Sequence, residues 1–166
     1  MHEQQFVSFL MNEQMFGIDI LVVREIIRNV DYTPVEHAPN AVRGLLNLRG
    51  QIITVLDLAP TLGLPPITEN KGTRCIILKT AEETAALLEN GFIGDEMHCD
   101  AIGLLVDGIG DVVVAEEDGI DGPPANVDSV ILDYIKGVIK LEGKLMMVLD
   151  LKPLVKQGVG QTTARI

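Results

Sequence analysis

The chain has 166 residues, 47% of them hydrophobic, and its 24 acidic and 13 basic side chains give a formal net charge of -11. This length fits one domain or two small subdomains that share a core. The acidic balance argues against nucleic acid and anionic membranes as partners, because clusters of lysine and arginine bind both. The first 14 residues lack a secretory signal, and no apolar run approaches the ~20 residues of a membrane span. We therefore expect a cytoplasmic protein without direct membrane insertion.

Short strands dominate the predicted elements. Runs rich in valine, isoleucine and leucine predict strands, in chain order, at residues 7–10, 20–28, 45–48, 52–56, 75–78, 102–106, 112–114, 138–141 and 145–149. The run Ile20–Arg28 also fits a helix by its spacing, but its density of isoleucine and valine favours a strand. Many runs are apolar at every position, which predicts burial on both faces. Thr80 and Glu83 form a capping-box pattern that predicts a helix within residues 80–90.

An internal repeat is the most informative feature of the sequence. A shift of 93 residues aligns Gly44–Leu58 with Gly137–Leu151, with eight identities when residues 42–60 are compared with 135–153. A weaker similarity relates Phe16–Ile18 to Ile102–Leu104 at a shift of 86. Both blocks occur in the same order in each half. The pattern indicates duplication of a small all-β unit.

Glycines mark the turns of the repeated unit. Each copy is predicted to form a strand, a tight turn and a second strand, with Gly50 and Gly143 providing the positive φ that such a turn requires. We assign Gly44 and Gly137, which align with each other, to backbone geometry. These four glycines therefore predict two equivalent hairpins.

A short helix is predicted after each hairpin. Asp57 and Asp150 lie where the strand ends, so each carboxylate is expected to accept the first free N–H groups of the helix. Gly63 and Gly158 are placed to end these helices. Residues 158–166 are polar and lack periodicity, which predicts a disordered tail after a single domain at residues 1–157.

The sequence provides no recognisable catalytic centre. No nucleophile motif or phosphate-binding loop is present, and the chain has only three histidines, two serines and two cysteines. We predict no catalytic residue, no cofactor and no metal. A metal-dependent hydrolase that uses His37, Cys75, His98 and Cys99 is the alternative from another class. Free thiols are favoured at the two cysteines, although one disulfide remains open.

An ordered series of blocks resembles one known family. The blocks are Phe6–Leu10, Phe16–Ile20, Val23–Ile26, Val42–Gly50, Ile52–Leu58, Ile102–Gly108 and Tyr134–Gly137. Together they extend over roughly residues 5–157 and are similar to the CheW-like family of chemotaxis coupling proteins.

The resemblance implies both a fold and a function. The implied fold is all-β, with two small five-stranded β-barrels packed on a shared apolar core. The implied function is a non-enzymatic adaptor between a chemotaxis histidine kinase, through a regulatory domain of the same fold, and the cytoplasmic tips of methyl-accepting chemoreceptors. Such a protein is cytoplasmic and recruited to membrane receptor arrays. An adaptor of the same fold in type IV pilus motility or another chemosensory-like pathway is the second hypothesis. The segment Ala81–Asp100 is longer and more acidic than the family's usual turn, so it shields one barrel face or adds a contact.

The resemblance also implies a protein-binding surface. Arg49 and Glu25 match positions that the family uses at the surface facing the receptor. Val23, Ile26 and Leu48 are their apolar neighbours and could form a groove for an amphipathic helix. Whether Glu25 and Arg49 pair with each other or with a partner stays open at this point.

Overall fold

The computed structural model of the chain describes residues 3–39, 41–123, 125 and 129–160. Its strands are β1 (Glu3–Met11), β2 (Gln14–Asp19), β3 (Val23–Ile27), β4 (Val42–Leu48), β5 (Gln51–Leu56), β6 (Arg74–Leu78), β7 (Ile102–Val106), β8 (Gly108–Glu116), β9 (Ile120–Asp121), β10 (Ile135–Leu141) and β11 (Lys144–Leu149). Its α-helices are α1 (Ala81–Glu89), α2 (Ser129–Leu132) and α3 (Leu151–Val159). Within the described ranges, no helix is long and apolar enough to cross a membrane.

The strands form two sheets, which confirms the predicted all-β fold with two subdomains. One sheet has the strand order β8-β1-β2-β11-β10-β9, and the other has the order β3-β6-β7-β5-β4. The first sheet has six strands rather than the predicted five because the two-residue β9 pairs with the outer edge of β10. The first sheet combines both ends of the chain, whereas the second is built from residues 23–106.

The two halves share the same strand register. In the second sheet, Val55 on β5 pairs in parallel with Gly103 on β7. In the first sheet, Val148 on β11 pairs in parallel with Gly17 on β2. The sequence shifts of 93 and 86 relate these two pairs. Each repeated hairpin also carries a register irregularity at the same place, two residues into its first strand. The repeat is therefore a repeat of three-dimensional structure.

One large apolar cluster includes residues of both sheets. β7 is buried at all five positions, as its continuous apolar sequence predicts. β8 differs, because Val112 and Val114 are 50% and 54% exposed. These two valines are on the outer face of an edge strand, while Val113 packs against a smaller cluster within the first sheet. The prediction of two-sided burial is wrong for β8.

The segment Ile20–Arg28 is only partly a strand. Residues Ile20–Val22 form a 3₁₀ turn, and β3 begins at Val23. The cause is the preceding Asp19, whose Oδ1 accepts a hydrogen bond from the N–H of Leu21 at 2.9 Å and so starts a turn. This local hydrogen bond overrides the strand preference of the β-branched residues.

The two aligned aspartates behave differently. Asp57 is buried, and its Oδ1 and Oδ2 accept hydrogen bonds from the N–H groups of Ala59 at 3.0 Å and Ile67 at 2.8 Å. Asp150 occupies the N-cap position of α3, but its side chain accepts no hydrogen bond from the helix, so the predicted capping role is wrong. Thr80, by contrast, does cap α1, because its side chain accepts a hydrogen bond from the N–H of Glu83.

The glycines predicted to end the helices also differ. Gly63 has a φ of 79° and ends the 3₁₀ turn Pro60–Leu62, as expected. Gly158 lies inside α3, which continues to Val159 and ends at Gly160 with a φ of 73°. Gly158 is a packing position instead, because a Cβ there would lie 3.3 Å from the side chain of Leu58. Residues 161–166 of the predicted tail lie outside the described part of the chain.

Candidate functional site

The tip of the β4–β5 hairpin presents an arginine. Leu48 pairs with Gln51, which leaves a two-residue turn at Arg49 and Gly50. Their φ values of 51° and 87° are both positive, the pattern of a type I′ turn. The Oδ1 of Asn47 accepts a hydrogen bond from the N–H of Gly50 at 3.0 Å and closes the turn. The Arg49 side chain is 68% exposed, so the turn holds a guanidinium group out in solvent.

The second hairpin has the same turn length but the opposite charge at its tip. Leu141 pairs with Lys144 across Glu142 and Gly143, and Gly143 has a φ of 75°. Glu142 occupies the position that Arg49 has in the first hairpin. The two halves therefore share a backbone frame but present different chemistry.

Gly44 and Gly137 allow a neighbouring chain segment to approach closely. A Cβ on Gly44 would lie 2.3 Å from the carbonyl oxygen of Thr33. A Cβ on Gly137 would lie 2.7 Å from the carbonyl oxygen of Asp121. The two glycines thus have equivalent roles in backbone geometry, on the outer side of each hairpin.

Arg49 forms a salt bridge with Glu25 through its Nη2 and the carboxylate Oε2. Glu25 is on β3, at one edge of the five-stranded sheet, and the hairpin containing β4 is at the other edge. The pair therefore links the two edges of this sheet through side chains. Both groups are partly or largely exposed, so the pair contributes at most about 1 kcal/mol to stability. Within the described residues, the other guanidinium N–H groups of Arg49 have no partner.

Arg24 lies between two predicted site residues and was missed by the sequence analysis. Its Nη1 donates a hydrogen bond to the Oε1 of Gln51 at 2.6 Å, and its Nε donates one to the Oε2 of Glu83 at 3.1 Å. The hydrogen bond from Arg24 holds the pKa of the Glu83 carboxyl below its usual range. Glu83 also completes the capping box of α1 with Thr80. The acidic segment Ala81–Asp100 is thus attached to β3.

The predicted apolar neighbours differ in exposure. Val23 and Leu48 are partly buried against the main core cluster, whereas Ile26 is 38% exposed. Two further apolar residues, Leu45 and Ile52, are on the outer face of the β4–β5 hairpin and are 39% and 57% exposed. The sequence analysis assigned these two residues to strands without predicting that they face solvent. The exposed apolar area of this hairpin and of β3 thus lies at Ile26, Leu45 and Ile52.

The residues proposed for a metal-dependent hydrolase do not assemble. In the part of the chain that the structure describes, no three His, Cys, Asp or Glu side chains are grouped so as to hold a metal ion. Cys75 is buried and Cys99 is exposed, and both thiols are free. Burial raises the pKa of the Cys75 thiol to about 12.

Comparison with known proteins agrees with this architecture. Residues 5–158 match the family model of the CheW-like domain. The chain is 28% identical over 150 residues to the chemotaxis protein CheW of Treponema pallidum, covering 90% of this chain and 81% of the relative. It is also 28% identical over 155 residues to the chemotaxis protein CheW of Thermotoga maritima, covering 93% and 89% of the two chains.

A solved structure gives the same result. The crystal structure of the scaffolding protein TtCheW from Thermoanaerobacter tengcongensis matches with a TM-score of 0.73 and 26% identity, covering 96% of this chain and 99% of that chain. These similarities confirm the predicted role, a non-enzymatic chemotaxis coupling adaptor. The chain belongs to the CheW-like domain family.

Proposed function

We propose that this protein couples the cytoplasmic tips of methyl-accepting chemoreceptors to the regulatory domain of a chemotaxis histidine kinase. It acts in the cytoplasm and is recruited to membrane receptor arrays. The support is the family match, together with relatives named as chemotaxis proteins and a scaffolding protein. We also propose that residues 1–157 act as one domain of two subdomains, since the main core cluster includes residues of both sheets.

The observation that carries the proposal is the exposed guanidinium group at the tip of the β4–β5 hairpin. We assign the receptor-binding surface to Val23, Glu25, Ile26, Leu48 and Arg49. The salt bridge to Glu25 orients the guanidinium while leaving most of its donors available. A carboxylate on a receptor helix would accept two parallel hydrogen bonds from that planar group. The exposed side chain of Ile26 would add apolar contact to an amphipathic helix.

The test is co-sedimentation of the purified chain with receptor-containing membranes, with and without the kinase. The wild type is expected to form a ternary complex. Arg49→Glu places a second carboxylate beside Glu25 and should weaken receptor binding about tenfold or more. The free energy of unfolding should change by less than about 1 kcal/mol, because the salt bridge is exposed.

Lys144→Glu is the matched control, because Lys144 is an exposed residue next to the tip of the equivalent hairpin and the charge change is the same. This variant should bind receptor like the wild type. If Arg49→Glu also binds receptor and kinase normally, the assigned surface is wrong. If the wild type forms no ternary complex, the coupling function itself is refuted.

A further inference from the structure

In the first half of the chain, the side chains of Arg43 and Asp57 bind the backbone of Ile67. The Oδ2 of Asp57 accepts a hydrogen bond from the N–H of Ile67 at 2.8 Å, and the Nη2 of Arg43 donates a hydrogen bond to the carbonyl oxygen of Ile67. Both backbone groups of one residue are thus bound. The Ile67 side chain is 3% exposed and belongs to the main core cluster. We call Arg43 and Asp57 the first clamp.

The repeat places an equivalent pair of side chains in the second half. The shift of 93 residues relates Arg43 and Asp57 to Lys136 and Asp150, which we call the second clamp. The backbone positions agree, because the N–H of Asp57 donates to the carbonyl of Ala41 at 2.8 Å and the N–H of Asp150 donates to the carbonyl of Tyr134 at 2.8 Å. In both clamps a basic side chain that can donate hydrogen bonds precedes a carboxylate that can accept them.

No described residue is held by the second clamp. The Oδ1 of Asp150 is buried and has no hydrogen-bond partner within the described ranges. Lys136 forms no salt bridge or hydrogen bond there, and its charge acts only at longer range on Asp19. The chain path explains the difference, because α3 follows Asp150 where a short 3₁₀ turn and a returning loop follow Asp57. An unpaired buried carboxylate oxygen is costly, so a donor that reaches it gains binding energy.

Both residues of the second clamp line a groove with a volume of about 800 Å³ between residues 92–100 and α3. Apolar side chains contribute to its lining, among them Val22, Leu78, Ile102, Leu149 and Val155. Lys152 and Lys156 line it from α3, and the Nζ of Lys152 forms a salt bridge with the Oδ1 of Asp95 at 4.0 Å. Lys79 and the carboxylates of Asp19, Asp95, Glu96 and Asp100 also line it. The groove therefore combines an apolar surface and a buried hydrogen-bond acceptor with charged groups of both signs.

We propose that this groove binds an extended peptide segment of a partner protein. One residue of that segment donates its N–H to Asp150 and accepts a hydrogen bond from Lys136 through its carbonyl oxygen. Its side chain is branched and apolar, as at Ile67 in the first clamp, and packs against the apolar lining. This site is distinct from the surface around Arg49 and does not depend on receptor coupling.

The probe is the segment that the first clamp holds, LGLPPITE (residues 62–69), blocked at both ends and labelled for fluorescence anisotropy. Titration with the full chain is expected to give saturable binding. Methylation of the probe's isoleucine nitrogen removes the proposed donor and should weaken binding about tenfold, the usual effect of losing a hydrogen bond to a charged group. The same methylation should have no effect on binding to Asp150→Ala, because the acceptor is already absent.

Lys136→Met tests the other half of the clamp without depending on a buried substitution, because Lys136 is exposed. It should weaken binding several-fold. Lys140→Met is the matched control, since Lys140 is an exposed lysine on the same strand and lies outside the groove. This control should leave probe affinity unchanged.

Three results would overturn the proposal. One is the absence of saturable binding of the peptide probe at protein concentrations up to about 1 mM, because a dissociation constant above that value is too weak for a specific site. Another is an equal loss on methylation in the wild type and in Asp150→Ala, which would place the probe elsewhere. The last is a dimer in sedimentation velocity that Lys136→Met dissociates, because a second copy of the chain would then cover the groove. None of these results bears on the Arg49 surface, so the two proposals fail independently.

Discussion

Alanine substitution at Gly103 and Gly17 tests how tightly each subdomain is packed. The two glycines are equivalent in the repeat, and each pairs in parallel with an equivalent valine of the neighbouring strand. A Cβ on Gly103 would lie 2.6 Å from the Sγ of Cys75 and 3.2 Å from the side chain of Ile53. A Cβ on Gly17 would meet only the flexible end of Met146, at 2.7 Å from its Cε and Sδ.

The difference between these contacts sets the expected magnitudes. Cys75 and Ile53 are fully buried and short, so Gly103→Ala forces the core apart and should cost about 1–3 kcal/mol. Met146 has several rotatable bonds and can move its thioether aside. The lower entropy of the unfolded alanine chain offsets part of the remaining cost by about 0.4–1 kcal/mol. Gly17→Ala should therefore change stability by less than about 1 kcal/mol.

Urea unfolding followed by circular dichroism measures both free energies. The double variant Gly103→Ala/Cys75→Ala removes the sulfur that the new Cβ would contact. It should be more stable than the sum of the two single losses predicts, which is a favourable coupling between neighbouring positions. The reasoning is refuted if Gly17→Ala is as destabilising as Gly103→Ala, or if the double variant shows no coupling.

Three further predictions concern single side chains. Iodoacetamide should modify Cys99 in the native protein but Cys75 only after unfolding, because Cys75 is buried and its thiol pKa is about 12. Equal rates of modification of the two thiols, measured by mass spectrometry, would contradict this. Asp57→Ala should cost about 2–4 kcal/mol in urea unfolding, since two N–H groups lose a buried acceptor; a loss below about 1 kcal/mol would contradict it. The Arg24 hydrogen bond lowers the pKa of Glu83, so its contribution to stability is present above the usual glutamate pKa and lost as pH falls through the lowered value. Glu83→Gln should therefore lose less stability on acidification than the wild type, measured by urea unfolding across acidic pH.

The sequence predicts the fold well where local signals and the repeat agree. The glycines at 50 and 143 mark the two turns, and the capping box at Thr80 marks the start of α1. The sequence misleads where one local hydrogen bond outweighs a compositional preference, as in the turn that Asp19 starts. It also misleads at Asp150, where alignment with Asp57 suggests a cap but the chain that follows takes another path.

The candidate site is predictable only in part, for a physical reason. The family resemblance indicates the position of Arg49, and its salt bridge joins residues 24 apart that the sheet topology brings together. The contact between Arg24 and Glu83 spans 59 residues and follows no local pattern. It depends on where an inserted helix packs, which sequence periodicity does not encode. The exposure of Ile52 has the same origin, since its strand pattern does not indicate which face is covered.

The duplicated frame has a consequence for specificity. Two hairpins with the same register would present two equivalent tips, and a partner that recognised only their shape would bind either one. The side chains break this equivalence, because the first tip presents Arg49 and the second presents Glu142. A carboxylate on a partner is attracted to the first tip and repelled by the second. The charge difference therefore favours binding at the first hairpin and disfavours binding of the same partner at the second. The clamps differ too: the first binds the chain's own Ile67, whereas the second binds none of the residues that the structure describes. Duplication thus provides the frame, and divergence of a few side chains gives each half a different surface.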